Sequence, residues 1–152
     1  IAIRESIWES VYKASKDPME QLRLFFTLQA KEFSQFPPAS IMLHSDIIFQ
    51  KETAHRDRIH GMMKKNRERL REILEEGSHT GAFRSDIDAD YTALMLIGGF
   101  RMQVNCWKAQ CAACYTHKRT AKDNRDCPAS CAISLEEETG YFLEATLQLI
   151  KS

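Results

Sequence analysis

The hydrophobic positions recur with helical spacing along most of the chain. Ile3, Ile7 and Val11 are four residues apart, which predicts a first amphipathic helix that ends near Ala14. A second helix begins in the segment 17–20 (Asp-Pro-Met-Glu), because an Asp N-cap, a Pro at the first helical position and a Glu three residues after the cap are strong start signals. No segment shows sustained two-residue alternation, so the pattern predicts an all-α fold.

Further segments extend this pattern to a bundle of about six helices. The second helix ends before Pro37, and apolar residues in 41–49 and 59–74 predict a short third helix and a long fourth one. The fifth helix spans 88–107. The sixth spans 134–151, where Ser-Leu-Glu-Glu forms a capping box at its start.

The fifth helix is apolar on nearly every side. It contains Gly98 and Gly99, and each glycine inside a helix costs about 1 kcal/mol relative to alanine, so we expect both to face a closely packed neighbour. A helix of this kind must be covered on every side. A second subunit would complete the cover, and an ordinary core helix of a monomer is the alternative.

Length and charge narrow the class of protein. The 152 residues fit one domain, 1–152, and the 21 basic residues balance the 21 acidic ones, so the chain lacks the basic surface of a nucleic-acid-binding protein. The charge-free part of the fifth helix, 91–100, is too short to cross a bilayer. We expect a cytoplasmic protein with no membrane partner. Residue 1 is Ile, so we also expect further chain upstream.

The segment between the fourth and fifth helices carries a family resemblance. Residues 81–88 have the pattern Gly-x-Phe-Arg-x-Asp-x-Asp, and the apolar helix with Gly98-Gly99 then ends at Trp107. This arrangement resembles the C-terminal effector-binding and dimerisation domain of TetR/AcrR-family transcriptional regulators. The resemblance implies a repressor and not an enzyme.

The resemblance also implies partners. In this family a three-helix, helix-turn-helix unit that binds operator DNA precedes the domain, so it would lie upstream of Ile1 and outside this chain. The last two long helices of each protomer form a four-helix dimer interface, which by position corresponds to 88–107 and 134–151 here. The middle helices hold a small apolar or amphipathic effector.

Soft and aromatic side chains are candidates to line the effector pocket, because they adapt to varied apolar ligands. The candidates are Phe25, Phe26, Met42, Phe49, Met63, Met95, Phe100 and Trp107. A Met or Phe stripe at helical spacing is more often hydrophobic core, and the family resemblance is what favours the pocket.

Four of the five cysteines lie in an insert, 108–133, between the fifth and sixth helices. Cys111 and Cys114 form a Cys-x2-Cys pair, and Cys127 and Cys131 form a Cys-x3-Cys pair, a spacing that resembles a zinc-ribbon ligand set. The polar residues between the pairs have little to bury. A structural Zn²⁺ bound by four thiolates would supply the missing folding free energy.

Three alternatives to a four-thiolate site remain open. In the first, His117 replaces one thiolate in a Cys3His set. In the second, the cysteine pairs form redox-sensing disulfides. In the third, the insert is an unliganded loop. In the TetR family this connection is usually short.

An enzymatic alternative rests on the segment 111–117. Its sequence, Cys-Ala-Ala-Cys-Tyr-Thr-His, is similar to the Cys-x2-Cys followed by His of helical alkylhydroperoxidase-like proteins, in which one thiol attacks peroxide and the other resolves it. The His is one position too close for that pattern. In that family the motif also lies within a helix, whereas here it falls in the predicted polar insert.

Overall fold

The computed structural model describes residues 2–35, 53–120 and 134–152, with side chains for 5–35, 57, 59–109 and 134–152. Within these ranges the chain forms five helices: α1 (Ala2–Ala14), α2 (Pro18–Gln35), α3 (Thr53–Thr80), α4 (Ala89–Thr120) and α5 (Leu135–Ile150). The only β-type pairing among the described residues is an isolated bridge between Phe83 and Lys151. The predicted all-α fold is therefore confirmed.

The predicted helix starts are confirmed by their hydrogen bonds. Asp17 Oδ2 accepts from the backbone N–H of Glu20 at 3.2 Å at the start of α2. At α5 the Ser134 hydroxyl accepts from the N–H of Glu137, and the Glu137 carboxylate accepts from the N–H of Ser134. Asp88 accepts two backbone N–H groups at the start of α4. These side chains satisfy donors that a helix N-terminus leaves unpaired.

The end predicted for the fifth helix at Trp107 is wrong, because α4 continues to Thr120. The residues after Trp107, Lys-Ala-Gln-Cys-Ala-Ala-Cys, are mostly good helix formers and include neither Gly nor Pro. The predicted insert 108–133 is thus helical as far as Thr120, and its remainder lies outside the described residues. The short helix predicted over 41–49 also lies outside them.

The turn between α3 and α4 is fixed by the end of α5. Gly81 takes a positive φ of 79° after the last residue of α3, the left-handed conformation in which glycine commonly ends a helix. Phe83 is buried, and its ring lies so close to Gly77 that a Cβ there would overlap it. The backbone N–H of Arg84 donates to the Ile150 carbonyl at 2.9 Å. The start of α4 and the end of α5 are therefore adjacent.

The helices α4 and α5 are antiparallel. Arg84, before α4, pairs with Ile150, whereas Gly99 lies against Phe142 further along. α5 begins about two turns before Phe142, and Trp107 lies about two turns after Gly99. Because the helices are antiparallel, Trp107 therefore lies near the level at which α5 starts. The rest of α4, 108–120, extends past that level by roughly 20 Å at 1.5 Å per residue.

Candidate functional site

A cluster of aromatic side chains joins four helices in the core. The Trp8 ring of α1 stacks on Phe25 of α2 at 4.2 Å between centroids, and Phe26 lies 5.2 Å from Phe100 of α4. Phe142 of α5 contacts both Phe26 and Phe100. Aromatic pairs at these separations contribute about 0.5–1.5 kcal/mol beyond the area that they bury.

The structure brings together only part of the predicted ligand-binding set. Phe25, Phe26 and Phe100 are buried in the aromatic cluster, Trp107 is half-buried against the core, and Met63 is half-buried on α3. Met42 and Phe49 lie outside the described residues. Met95 lies apart from the cluster, because 67% of its surface is exposed on the other side of α4.

Two buried oxygens that the sequence analysis missed lie on the same helices as the aromatic cluster. Glu32 Oε2 on α2 and Gln103 Oε1 on α4 are shielded from solvent and have no hydrogen-bond partner among the described residues. Both residues neighbour the Phe33–Phe100 contact in sequence: Glu32 precedes Phe33, and Gln103 is one turn beyond Phe100. Gln103 lies three residues after Phe100 and seven after Leu96, on the apolar stripe of α4, and this position is the signal that could have identified it.

A surface groove of about 300 Å³ lies between α2 and α5, away from this cluster. Its lining residues are Arg23, Glu137, Gly140, Tyr141 and Glu144. None of the predicted ligand-binding residues lines it, and three of its five lining residues are charged. This groove does not match the site predicted for an apolar effector.

The side of α4 that faces away from the core is also apolar. Tyr91, Met95 and Met102 are each exposed over 65% or more of their surface, and Leu94 over 45%. Spacings of three, four and seven residues place these side chains and Gly98 on one face of the helix.

The exposed side of α5 continues this surface. Tyr141 and Leu149 are 67% and 72% exposed. Phe142, which follows Tyr141 and lies two turns before Leu149, packs on Gly99 of α4, so these exposed residues belong to the helix that lies beside α4. We call the combined surface the outer face, made up of Tyr91, Leu94, Met95, Gly98, Met102, Tyr141 and Leu149. Monomeric proteins rarely expose contiguous apolar surfaces of this kind.

The two adjacent glycines of α4 have different surroundings. A Cβ on Gly99 would come within 2.8 Å of the Phe142 ring, so this glycine allows α5 to approach closely. A Cβ on Gly98 would meet no atom of the described residues within 4 Å. The expectation that both glycines face a neighbour is confirmed for Gly99, whereas Gly98 faces open space on the outer face.

Polar contacts connect α1 to α3. The Trp8 indole N–H donates to Asn66 Oδ1 at 2.9 Å in a buried hydrogen bond. The Arg69 guanidinium lies 5.4 Å from the centroid of the Trp8 ring and donates to Glu5 at 2.8 Å. That hydrogen bond, together with the charges of Arg69 and Lys65, lowers the pKa of Glu5 despite partial desolvation.

The cysteine positions are only partly described. Cys111 and Cys114 lie within α4, their side chains are outside the described set, and Cys127 and Cys131 lie outside the described residues. Cys106 is free and exposed. Among the side chains that the structure does describe, no group of three or more His, Cys, Asp and Glu is arranged to hold a metal ion.

The all-α bundle, with its buried aromatic cluster and apolar outer face, matches a known family of domains. The family model described as "Tetracyclin repressor-like, C-terminal domain" matches residues 18–127. This chain therefore belongs to the tetracyclin repressor-like C-terminal domain family, and the resemblance found in the sequence is confirmed.

Two solved structures share the fold. The ketosteroid transcriptional regulator KstR2 of Mycobacterium tuberculosis matches 98% of this chain and 66% of its own, with a TM-score of 0.73 and 13% identity. The fatty acid degradation regulator FadR from Bacillus halodurans matches 96% and 68%, with a TM-score of 0.70 and 17% identity. The chain thus spans about two thirds of each regulator. No curated protein matches it by sequence.

The family and both structures are those of transcriptional regulators, not enzymes. The Cys-x2-Cys pair does lie in a helix, so one objection to the peroxidase alternative no longer holds. The position of His117 still departs from that pattern. Among the described helices, none is both long and apolar enough to cross a membrane.

Proposed function

We propose that this chain is the effector-binding and dimerisation domain of a DNA-binding transcriptional repressor whose helix-turn-helix unit lies upstream of Ile1. Family membership supports the regulatory class, and the outer face is the observation that carries dimerisation. In this account two copies bury their outer faces against each other through 88–107 and 134–151. Operator DNA contacts only the upstream unit, because this chain has no net charge.

Met95 belongs to the dimer interface in this proposal, not to the effector site. The remaining described candidates, Phe25, Phe26, Phe100, Trp107 and Met63, form or adjoin the wall of the effector site. Phe25, Phe26 and Phe100 are packed against other rings, so the ligand contacts this wall at its half-buried residues, Trp107 on α4 or Met63 on α3. Met42 and Phe49 keep their predicted role.

The two unpaired oxygens favour an amphipathic effector over a purely apolar one. A buried acceptor without a partner costs about 1–3 kcal/mol, and a ligand that donates a hydrogen bond would recover this energy. Glu32 Oε2 and Gln103 Oε1 are both acceptors as placed. We therefore propose an effector with an apolar body and a hydroxyl or amine group.

Trp107 offers a direct test of effector binding. The chain has two tryptophans, so Trp8→Phe leaves Trp107 as the only indole. Titration with medium-chain alkanols, alkylamines and alkyl carboxylates should change its fluorescence. The alkanols and alkylamines, which can donate a hydrogen bond, should bind about tenfold more tightly than the carboxylates, as expected for one hydrogen bond. Gln103→Leu should reduce this preference. An unchanged spectrum with every ligand would refute the proposed site.

A structural zinc site is a second proposal. Cys111 and Cys114 are three residues apart on α4, a spacing that places two residues on one face of a helix, and Cys127 and Cys131 would complete the set. Native mass spectrometry should detect one Zn²⁺ per chain, lost in Cys111→Ser and retained in the matched control Cys106→Ser. A metal-free wild-type chain after purification with added zinc would exclude this site.

A further inference from the structure

One turn of α3 contacts a different helix on each side. Asn66 and Arg69 contact α1, where they bind Trp8 and Glu5. Arg67, between them in sequence, points to α4 and forms two hydrogen bonds with the Asp90 carboxylate, one of them 2.8 Å long. We call Asn66, Arg67 and Arg69 the α3 polar turn.

The contact with α4 is at the first turn of that helix. Asp90 follows the N-cap Asp88, which accepts the backbone N–H groups of Asp90 and Tyr91. Tyr91 is exposed on the outer face. A shift of the first turn of α4 therefore displaces the carboxylate that Arg67 holds, and with it the α3 polar turn.

The contact with α1 is specific and largely buried. Trp8 is 2% exposed and its indole N–H donates to Asn66 Oδ1, so a rotation or sliding of α3 breaks this bond or moves α1. Losing the acceptor would leave a buried donor unpaired. The Trp8 ring also stacks on Phe25, which limits how α1 can adjust.

From these contacts we propose that the α3 polar turn couples the first turn of α4 to α1, so that a change at the outer face alters how firmly α1 is held. Asn66, Arg67 and Arg69 are positioning residues in this account. The coupling is a property of this chain. Its role in regulation rests on the proposed function, in which α1 follows the DNA-binding unit.

Hydrogen exchange of the full 152-residue chain tests this coupling without DNA or effector. Asp90→Asn weakens the bidentate contact with Arg67. We expect the backbone amides of α1 to exchange at least about threefold faster than in the unmodified chain, and to change more than those of α5. Asp90→Glu should restore most of the protection. Glu75→Gln is the matched control, because it breaks an exposed ion pair with Arg71 within α3 that contacts neither α1 nor α4.

A second measurement separates coupling from general destabilisation. Trp8→Phe removes the indole donor but keeps an aromatic ring. In the double variant with Asp90→Asn, the unfolding equilibrium constant should differ by at least about threefold from the value expected for two independent effects. Additive effects, or exchange in α1 that rises only in parallel with α5, would overturn the proposal. Both measurements are made without effector and at a protein concentration at which the chain is monomeric, so this result leaves the proposed function to its own tests.

Discussion

The two sides of α4 are similar in composition and opposite in environment. The inner side presents Leu96, Phe100 and Val104 to the core, where each is at most 3% exposed. The outer side presents Met95 and Met102 to solvent. The described helices cover one apolar side and leave the other open. Within the described part of the chain, α4 therefore carries two apolar surfaces, of which one is packed.

Gly98 and Gly99 mark the boundary between these two surfaces. Gly99 lies beneath Phe142, so its missing side chain is used within the chain. Gly98 has open space beside it and exposed apolar residues one turn away on either side. In our proposal a partner helix occupies that space. The comparison can be tested by changing the inner side, the outer side and the two glycines in turn.

The largest effect is expected on the inner side. Phe100→Ala removes a ring that contacts Phe26, Phe33 and Phe142, and it leaves a cavity between three helices. We expect the free energy of unfolding to fall by about 3–5 kcal/mol. Urea denaturation followed by circular dichroism measures this loss. A cost below about 1 kcal/mol would mean that the inner side is not the well-packed surface described above.

An intermediate effect is expected on the outer side. Met95→Glu and Met102→Glu place charges on a surface that we propose is buried in the dimer, so the dimer dissociation constant should rise about 100-fold, equivalent to roughly 2.7 kcal/mol. The helical content of the monomer should not change, because neither side chain supports the core. Lys64→Glu, on an exposed polar side of α3, is the control. Equal dimer affinity in all three variants would contradict the assignment of the outer face.

The smallest effect separates the two glycines. In Gly99→Ala the new Cβ meets the Phe142 ring, so the ring or α5 must shift, and we expect a loss of about 1–3 kcal/mol in stability. In Gly98→Ala the Cβ enters open space, and the better helix propensity of alanine should stabilise the monomer by up to about 1 kcal/mol. Thermal unfolding at low concentration compares the two. The same sign of change for both would remove the distinction between the inner and outer sides.

Local signals predicted most of this fold. The capping residues Asp17, Asp88 and Ser134 identified three helix starts, because their hydrogen bonds involve only neighbouring residues. The end of α4 was not predictable in the same way. No Gly or Pro follows Trp107 closely, and the change to polar composition after it does not by itself end a helix.

The candidate site was less predictable, because it depends on contacts between helices. The pattern of apolar residues could not show that Met95 is exposed while Phe100 is buried, since both belong to a helix that is apolar on nearly every side. The pairing of Trp8 with Asn66, 58 residues apart, leaves no local signal either. Where each side of α4 points is decided by which helices pack against it.

The oligomeric state of the unmodified chain tests the central claim most directly. Sedimentation equilibrium over a range of micromolar concentrations should fit a reversible dimer, because a second copy is needed to cover the outer face. The account predicts that the dimer dissociates on dilution without loss of helical content. A chain that remains monomeric and fully folded at the highest concentration would contradict it, since the outer face would then be stable in contact with water.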